Sequence, residues 1–185
     1  MTKKKILIGM LIFATMVIVG VGGVYAYLAS GDSATNVLTV GGVNTEIVEE
    51  FTPPTKLEPG VSFTKDVSVK NLGPSGCYIR IKAVFTDSDM EKYCTVDWNT
   101  DDFVYNEKDG YYYYVKPLDV NETSASLFTT VTLSDDIKSE EIKDFDILIY
   151  SEAFQSSGYQ NDDGVWTEFN NYEEAWAYYH RNKPQ

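Results

Sequence analysis

Few residues in this chain are typed and spaced for chemistry. Its 185 residues include one histidine, His180, set between Tyr179 and Arg181 near the C-terminus. A zinc protease draws on neutral imidazole and carboxylate ligands at helical or strand spacing, most often as His-Glu-x-x-His. A lone histidine cannot furnish that pattern, and zinc's preference for nitrogen and sulfur makes a carboxylate-only site weak. There is no Gly-x-Ser-x-Gly, so any nucleophile–histidine–acid triad would have to be built on His180. At the end of a helix such a histidine serves as a dipole partner or a solvated side chain. The expectation is a protein that is not an enzyme, with no catalytic residues and no cofactor. Calcium is the one metal worth considering. Asp87-Ser88-Asp89 and Asn161-Asp162-Asp163-Gly164 gather hard oxygens in loops, but neither has EF-hand spacing, and turn chemistry on an acidic surface explains both.

Two further groups stand out. Cys77 and Cys94 are an even pair, 17 residues apart, and in an oxidising compartment they are expected to form one disulfide. The alternative is two buried, reduced thiols. Tyr111-Tyr112-Tyr113-Tyr114 on a strand sends two rings to each face. One pair then belongs in a core. The other ladders on the surface or offers an aromatic patch to a glycan or another subunit.

Charge narrows the partners. The formal net charge is −13, and all 28 acidic residues lie beyond residue 31. Without Lys3, Lys4 and Lys5 the body keeps 12 basic residues and carries −16. Nucleic acid and anionic lipid would both be repelled by such a body.

The N-terminus reads as an export signal. Lys3-Lys4-Lys5 precedes an apolar run from Ile6 to Val19, then glycines, then Val24-Tyr25-Ala26 as a small-residue cleavage site. Cleavage between Ala26 and Tyr27 would make residues 1–26 a signal peptide and residues 27–185 a single secreted domain. The alternative is an uncleaved anchor, because Ile6 to Ala29 has no charge and is long enough to span a bilayer.

The elements that must position these residues are strands. Cys77, Ile79, Ile81, Ala83 and Phe85 share one face of a period-two run, with Tyr78, Arg80 and Lys82 on a wet face. Further strands are expected over 43–48, 61–70, 102–105, 111–115, 127–133 and 145–154, the last one central. Asp109-Gly110 closes a hairpin, and Glu49 to Pro59 reads as a loop. Such spacing, without intervening amphipathic helices, points to an all-β antiparallel sandwich, jelly-roll-like. One C-terminal helix is expected after Asn170 or Asn171, with Glu173 or Glu174 as capping partner and Trp176 with Tyr172 or Tyr179 as its apolar stripe. A signal helix precedes the domain.

The lysine cluster, the apolar run, Gly22-Gly23-Val24-Tyr25-Ala26-Tyr27-Leu28 and Asn36-Val37-Leu38-Thr39-Val40-Gly41 together resemble a special exported class. So does LEPGVSFTKDVSVKNLGPSGCYIRIK at residues 57–82. This is the TasA/camelysin group of Gram-positive bacteria, whose signals are cut by a SipW-type signal peptidase. Stretches at 109–118, 127–133 and 149–155 extend the likeness over nearly the whole chain; the cysteine pair is an elaboration on it. The resemblance implies a secreted or cell-surface sandwich in the role of a biofilm-matrix fibre subunit, self-associating or joined to other matrix proteins. Membrane contact would come only through the uncleaved signal. An extracellular glycan- or ligand-binding module is the alternative. Some camelysin-type relatives are described as metalloproteases, a role that the single histidine does not support. Once freed by cleavage, the strand formed by Val37, Leu38, Thr39 and Val40 is expected either to add to the open edge of a neighbouring copy or to pair within its own domain.

Overall fold

The computed structural model of the chain describes residues 36–39 and 43–182, all within one compact unit. The signal segment, the Ala26–Tyr27 junction and Val40 lie outside the described residues.

The fold is the all-β sandwich expected. One sheet has five strands in the order β1-β9-β4-β7-β6: β1 (Asn36–Thr39), β9 (Ile147–Gln155), β4 (Cys77–Phe85), β7 (Tyr111–Tyr114) and β6 (Phe103–Asn106). The other has four, in the order β2-β3-β8-β5: β2 (Thr45–Thr52), β3 (Ser62–Asn71), β8 (Phe128–Leu133) and β5 (Cys94–Val96). All pairings are antiparallel except β1 with β9. A small hairpin, β10 (Tyr159–Gln160) with β11 (Trp166–Thr167), precedes the C-terminal helix α2 (Tyr172–Asn182). A shorter helix, α1 (Ser88–Tyr93), links β4 to β5.

The core lies between the sheets. Val67 and Val69 of β3 and Phe128 and Val131 of β8 meet Ile79 and Ile81 of β4 and Ile149 and Ala153 of β9. All are nearly or fully buried. Fully burying one such aliphatic side chain is worth about 1.5–3 kcal/mol. Tyr112 and Tyr114 join this interior, where Trp98 stacks on Tyr112 at 4.6 Å. Tyr111 and Tyr113 face the other way, as strand alternation requires.

Turn chemistry fixes the register of these strands. Val61 N donates to Glu58 O across Pro59-Gly60, and Gly60 sits at φ 77°, a type II turn with proline and glycine in their preferred places. Asn71, fully buried, accepts from Gly73 N through Oδ1 and donates through Nδ2 to the carbonyls of Ser75, Leu118 and Asp119. That side chain ties the loop after β3 to the segment after β7, and gives the Asn-x-Gly pattern its physical purpose.

Three expectations are corrected. The stretch from Glu49 to Thr52 belongs to β2 rather than to a loop, because its backbone continues the β3 ladder as far as Thr52↔Thr64. The β4 outer face is not wet: Tyr78 and Arg80 are buried. The helix α2 covers it, with Ala175, Trp176 and Tyr179 packed on Tyr78, Tyr113 and Phe154. The third concerns the cysteines. Cys77 opens β4, a strand of nine residues that runs about 26 Å, while Cys94 follows α1 beyond its far end. The two are therefore not close, and each is a free thiol. Burial pushes the Cys77 thiol up to about 12 and the Cys94 thiol to about 11, so both are poor nucleophiles.

Candidate functional site

The five-stranded sheet carries both features that bear on function: a buried charge cluster on its outer face and two unequal edges. The cluster is built around Arg80, which is 3% exposed at the middle of β4. Register places Arg80 beside Glu152 of β9 and Tyr113 of β7. Its Nε donates to Glu152 Oε2 at 2.9 Å, and Nη2 donates to the same oxygen. Nη1 donates to Tyr113 Oη at 2.6 Å and to Asp109 Oδ2 at 2.9 Å. Asp109 reaches in from the β6–β7 turn, which Gly110 closes at φ 73°. The guanidinium also lies over the rings of Tyr111 at 4.2 Å and Trp176 at 4.6 Å.

Burial opposes the arginine's charge, but Glu152 and Tyr113 hold its pKa above the ordinary value. The phenol of Tyr111 is pushed up to about 12, first by burial and then by the charge of Glu152. A buried cation with carboxylate partners and aromatic walls fixes orientation more than it adds net stability. Here it orients α2, the element laid across it. His180, on the last turn of α2, has Nε2 3.1 Å from Arg80 Nη1. A guanidinium only donates, so in this contact the imidazole nitrogen can serve only as acceptor. The sequence reading missed this link, which joins residues 100 positions apart.

The cap of α2 follows the sequence closely. Asn171 Oδ1 accepts from Glu174 N at 2.9 Å. Glu174 turns back to Asn170, taking its backbone N–H at 3.0 Å and its side-chain amide at 2.9 Å. Side chains of both oxygen-rich loops make cap and turn hydrogen bonds. Asp87 caps α1 through Asp89 N and Met90 N, and Lys143 bridges Asp87 and Asp89 at 3.4 Å each. Asn161 Oδ1 accepts from Asp163 N and Val165 N at the β10–β11 turn. Among the described residues no group of three or more His, Cys, Asp or Glu side chains could hold a metal ion, and no helix is long and apolar enough to cross a membrane.

No family model, curated protein or solved structure matches this chain. The edges must then be read on their own terms. At one edge β1 runs parallel to β9, in the register Asn36↔Tyr150, Val37↔Ser151, Leu38↔Glu152, Thr39↔Ala153. The structure thus places Val37, Leu38 and Thr39 in their own sheet. β1 is four residues against the nine of β9, held by one neighbour in the less stable pairing mode. At the other edge lies β6, backed by β7 and bordered by α2.

Proposed function

We propose that this protein is a secreted structural subunit of a cell-surface or matrix assembly, built by exchange of β1 between copies. A SipW-type signal peptidase would cut after Ala26 and release the segment that ends in β1. The observation that supports this most is the parallel, four-residue pairing of β1 at the sheet margin. A strand held by one neighbour is the element most easily traded, because a second copy can offer β9 the same backbone partners. Such a head-to-tail contact does not close on itself and builds a filament. The acidic body, with its −16, keeps subunits soluble before assembly.

Electron microscopy of the secreted protein tests the reading. Filaments are expected from the intact sequence, and none from Leu38→Asp with Val40→Asp or from a deletion of residues 27–41. A protein that stays monomeric in every condition, or variants that polymerise unchanged, would favour a glycan- or ligand-binding module instead.

A further inference from the structure

The second edge of the five-stranded sheet points to a different interaction, one independent of strand exchange. The strand β6 reads Phe-Val-Tyr-Asn, with no proline and no charge. Exposed edges are usually guarded by such residues against unwanted pairing. The edge strand β2 shows the contrast, with Glu46, Glu49 and Glu50 along it. Nothing comparable guards β6, where Val104 is 46% exposed and Tyr105 51%.

Its backbone is also turned outward. Val115 N donates to Asp102 O, which makes 102 and 115 a hydrogen-bonded pair. Antiparallel pairs alternate, so Val104 with Tyr113 is bonded likewise, while Phe103 with Tyr114 and Tyr105 with Tyr112 are not. The N–H and C=O groups of Phe103 and Tyr105 therefore face the open margin. Beside them runs a groove of about 520 Å³ between β6 and α2, with Val104, Tyr113, Tyr172, Trp176 and Ala177 among its walls. A sheet edge beside a helix, with an apolar trough between them, is the geometry that accepts an extended peptide.

Charge selects the occupant. Glu107 and Glu173 flank the groove against Lys108, and the body behind it carries −16. A second copy's β6 margin would set its own Glu107 and Glu173 against these, whereas a cationic segment is drawn in. We propose that the β6–α2 groove binds an extended, basic peptide segment of another protein. The segment adds as a sixth strand, with lysine or arginine side chains on the Val104 side, where Glu107 and Glu173 stand and their stems lie along the apolar wall, and small apolar side chains between them.

The test uses the full chain and a fluorescent heptapeptide, Lys-Val-Lys-Val-Lys-Val-Lys, followed by anisotropy. Tyr105→Pro removes an N–H that points to the open edge while leaving the β6–β7 ladder intact, because proline is tolerated on that side of an edge strand. Val104→Lys places a repelling charge in the groove at an exposed position. Saturable binding is expected, weakened by about tenfold or more in each variant, and by as much when glutamate replaces lysine in the peptide. Should Tyr105→Pro perturb the fold by circular dichroism, Val104→Lys decides alone. The proposal is overturned if the peptide does not bind, if the acidic peptide binds equally well, or if the variants bind unchanged. Self-association of the chain through β6 in place of peptide binding would also overturn it.

Discussion

The two faces of β4 obey the same alternation and are buried by different means. Toward the sandwich interior, Ile79 and Ile81 sit in a wholly apolar contact with the opposite sheet. Toward the outside, Tyr78 and Arg80 are as deeply covered, but by one helix and a ring of charged and aromatic groups. The inner face stabilises by volume and area, and tolerates other apolar side chains of similar volume. The outer face depends on a particular geometry, since Arg80 without its partners would be an uncompensated buried charge. The interior therefore sets how stable the sandwich is, and the exterior sets where α2 sits.

Mutations sharpen that contrast. Phe128→Ala, in the interior, is expected to cost about 3–5 kcal/mol in urea unfolding. Arg80→Ala is expected to cost about 3 kcal/mol, because it strands Glu152 beneath the helix. The two should differ in kind as well. Arg80→Ala combined with Trp176→Ala should cost less than the sum of the single changes, because both act on helix docking. Phe128→Ala combined with Trp176→Ala should be additive. Additivity in both pairs would dissolve the distinction between the faces.

Alkali probes both faces at once. Burial holds the phenols of Tyr111, on the outer face, and Tyr112, on the inner, up to about 12. Unfolded tyrosine ionises near ~10. The folded state thus keeps protons that the unfolded state releases. The stability these residues contribute is intact below about pH 10 and is lost as the pH climbs toward about 12. A phenolate absorbance titration should show these rings ionising together with unfolding, after the exposed tyrosines. The smallest effect is expected at the helix cap, where Asn171→Ala should cost about 1 kcal/mol and loosen α2 without touching the interior.

The sequence made the inner face readable because a period-two run of Cys, Ile, Ile, Ala and Phe has one physical meaning. It left the outer face unreadable. Tyr78, Arg80 and Lys82 have the composition of a solvated strand face, and only the pairing of Arg80 with Glu152, 72 residues away, reveals otherwise. The α2 cap was legible because its signals are local, confined to Asn170, Asn171 and Glu174. The same locality misled at the cysteines. Their spacing suited a disulfide, but an uninterrupted nine-residue strand carries the chain away from Cys77. The helix α1 escaped notice for a related reason: Asp87-Ser88-Asp89 reads equally as a turn and as an N-cap, and the six residues from Ser88 to Tyr93 carry too little periodicity to decide.

The central claim is that β1 can leave its own β9 for that of another copy. Cross-linking in the parallel register tests it most directly. Asn36 stands opposite Tyr150, so Asn36→Cys and Tyr150→Cys place two thiols within disulfide reach. The native thiols, held up at about 12 and about 11, should remain largely silent, with the unsubstituted chain as control. When the two variants, each with one added cysteine, are mixed and oxidised under assembling conditions, the account predicts covalent dimers joining residue 36 of one copy to residue 150 of the next. If the mixture gives no such dimers, while a double variant closes efficiently within one chain, β1 belongs permanently to its own sheet and the assembly account is contradicted.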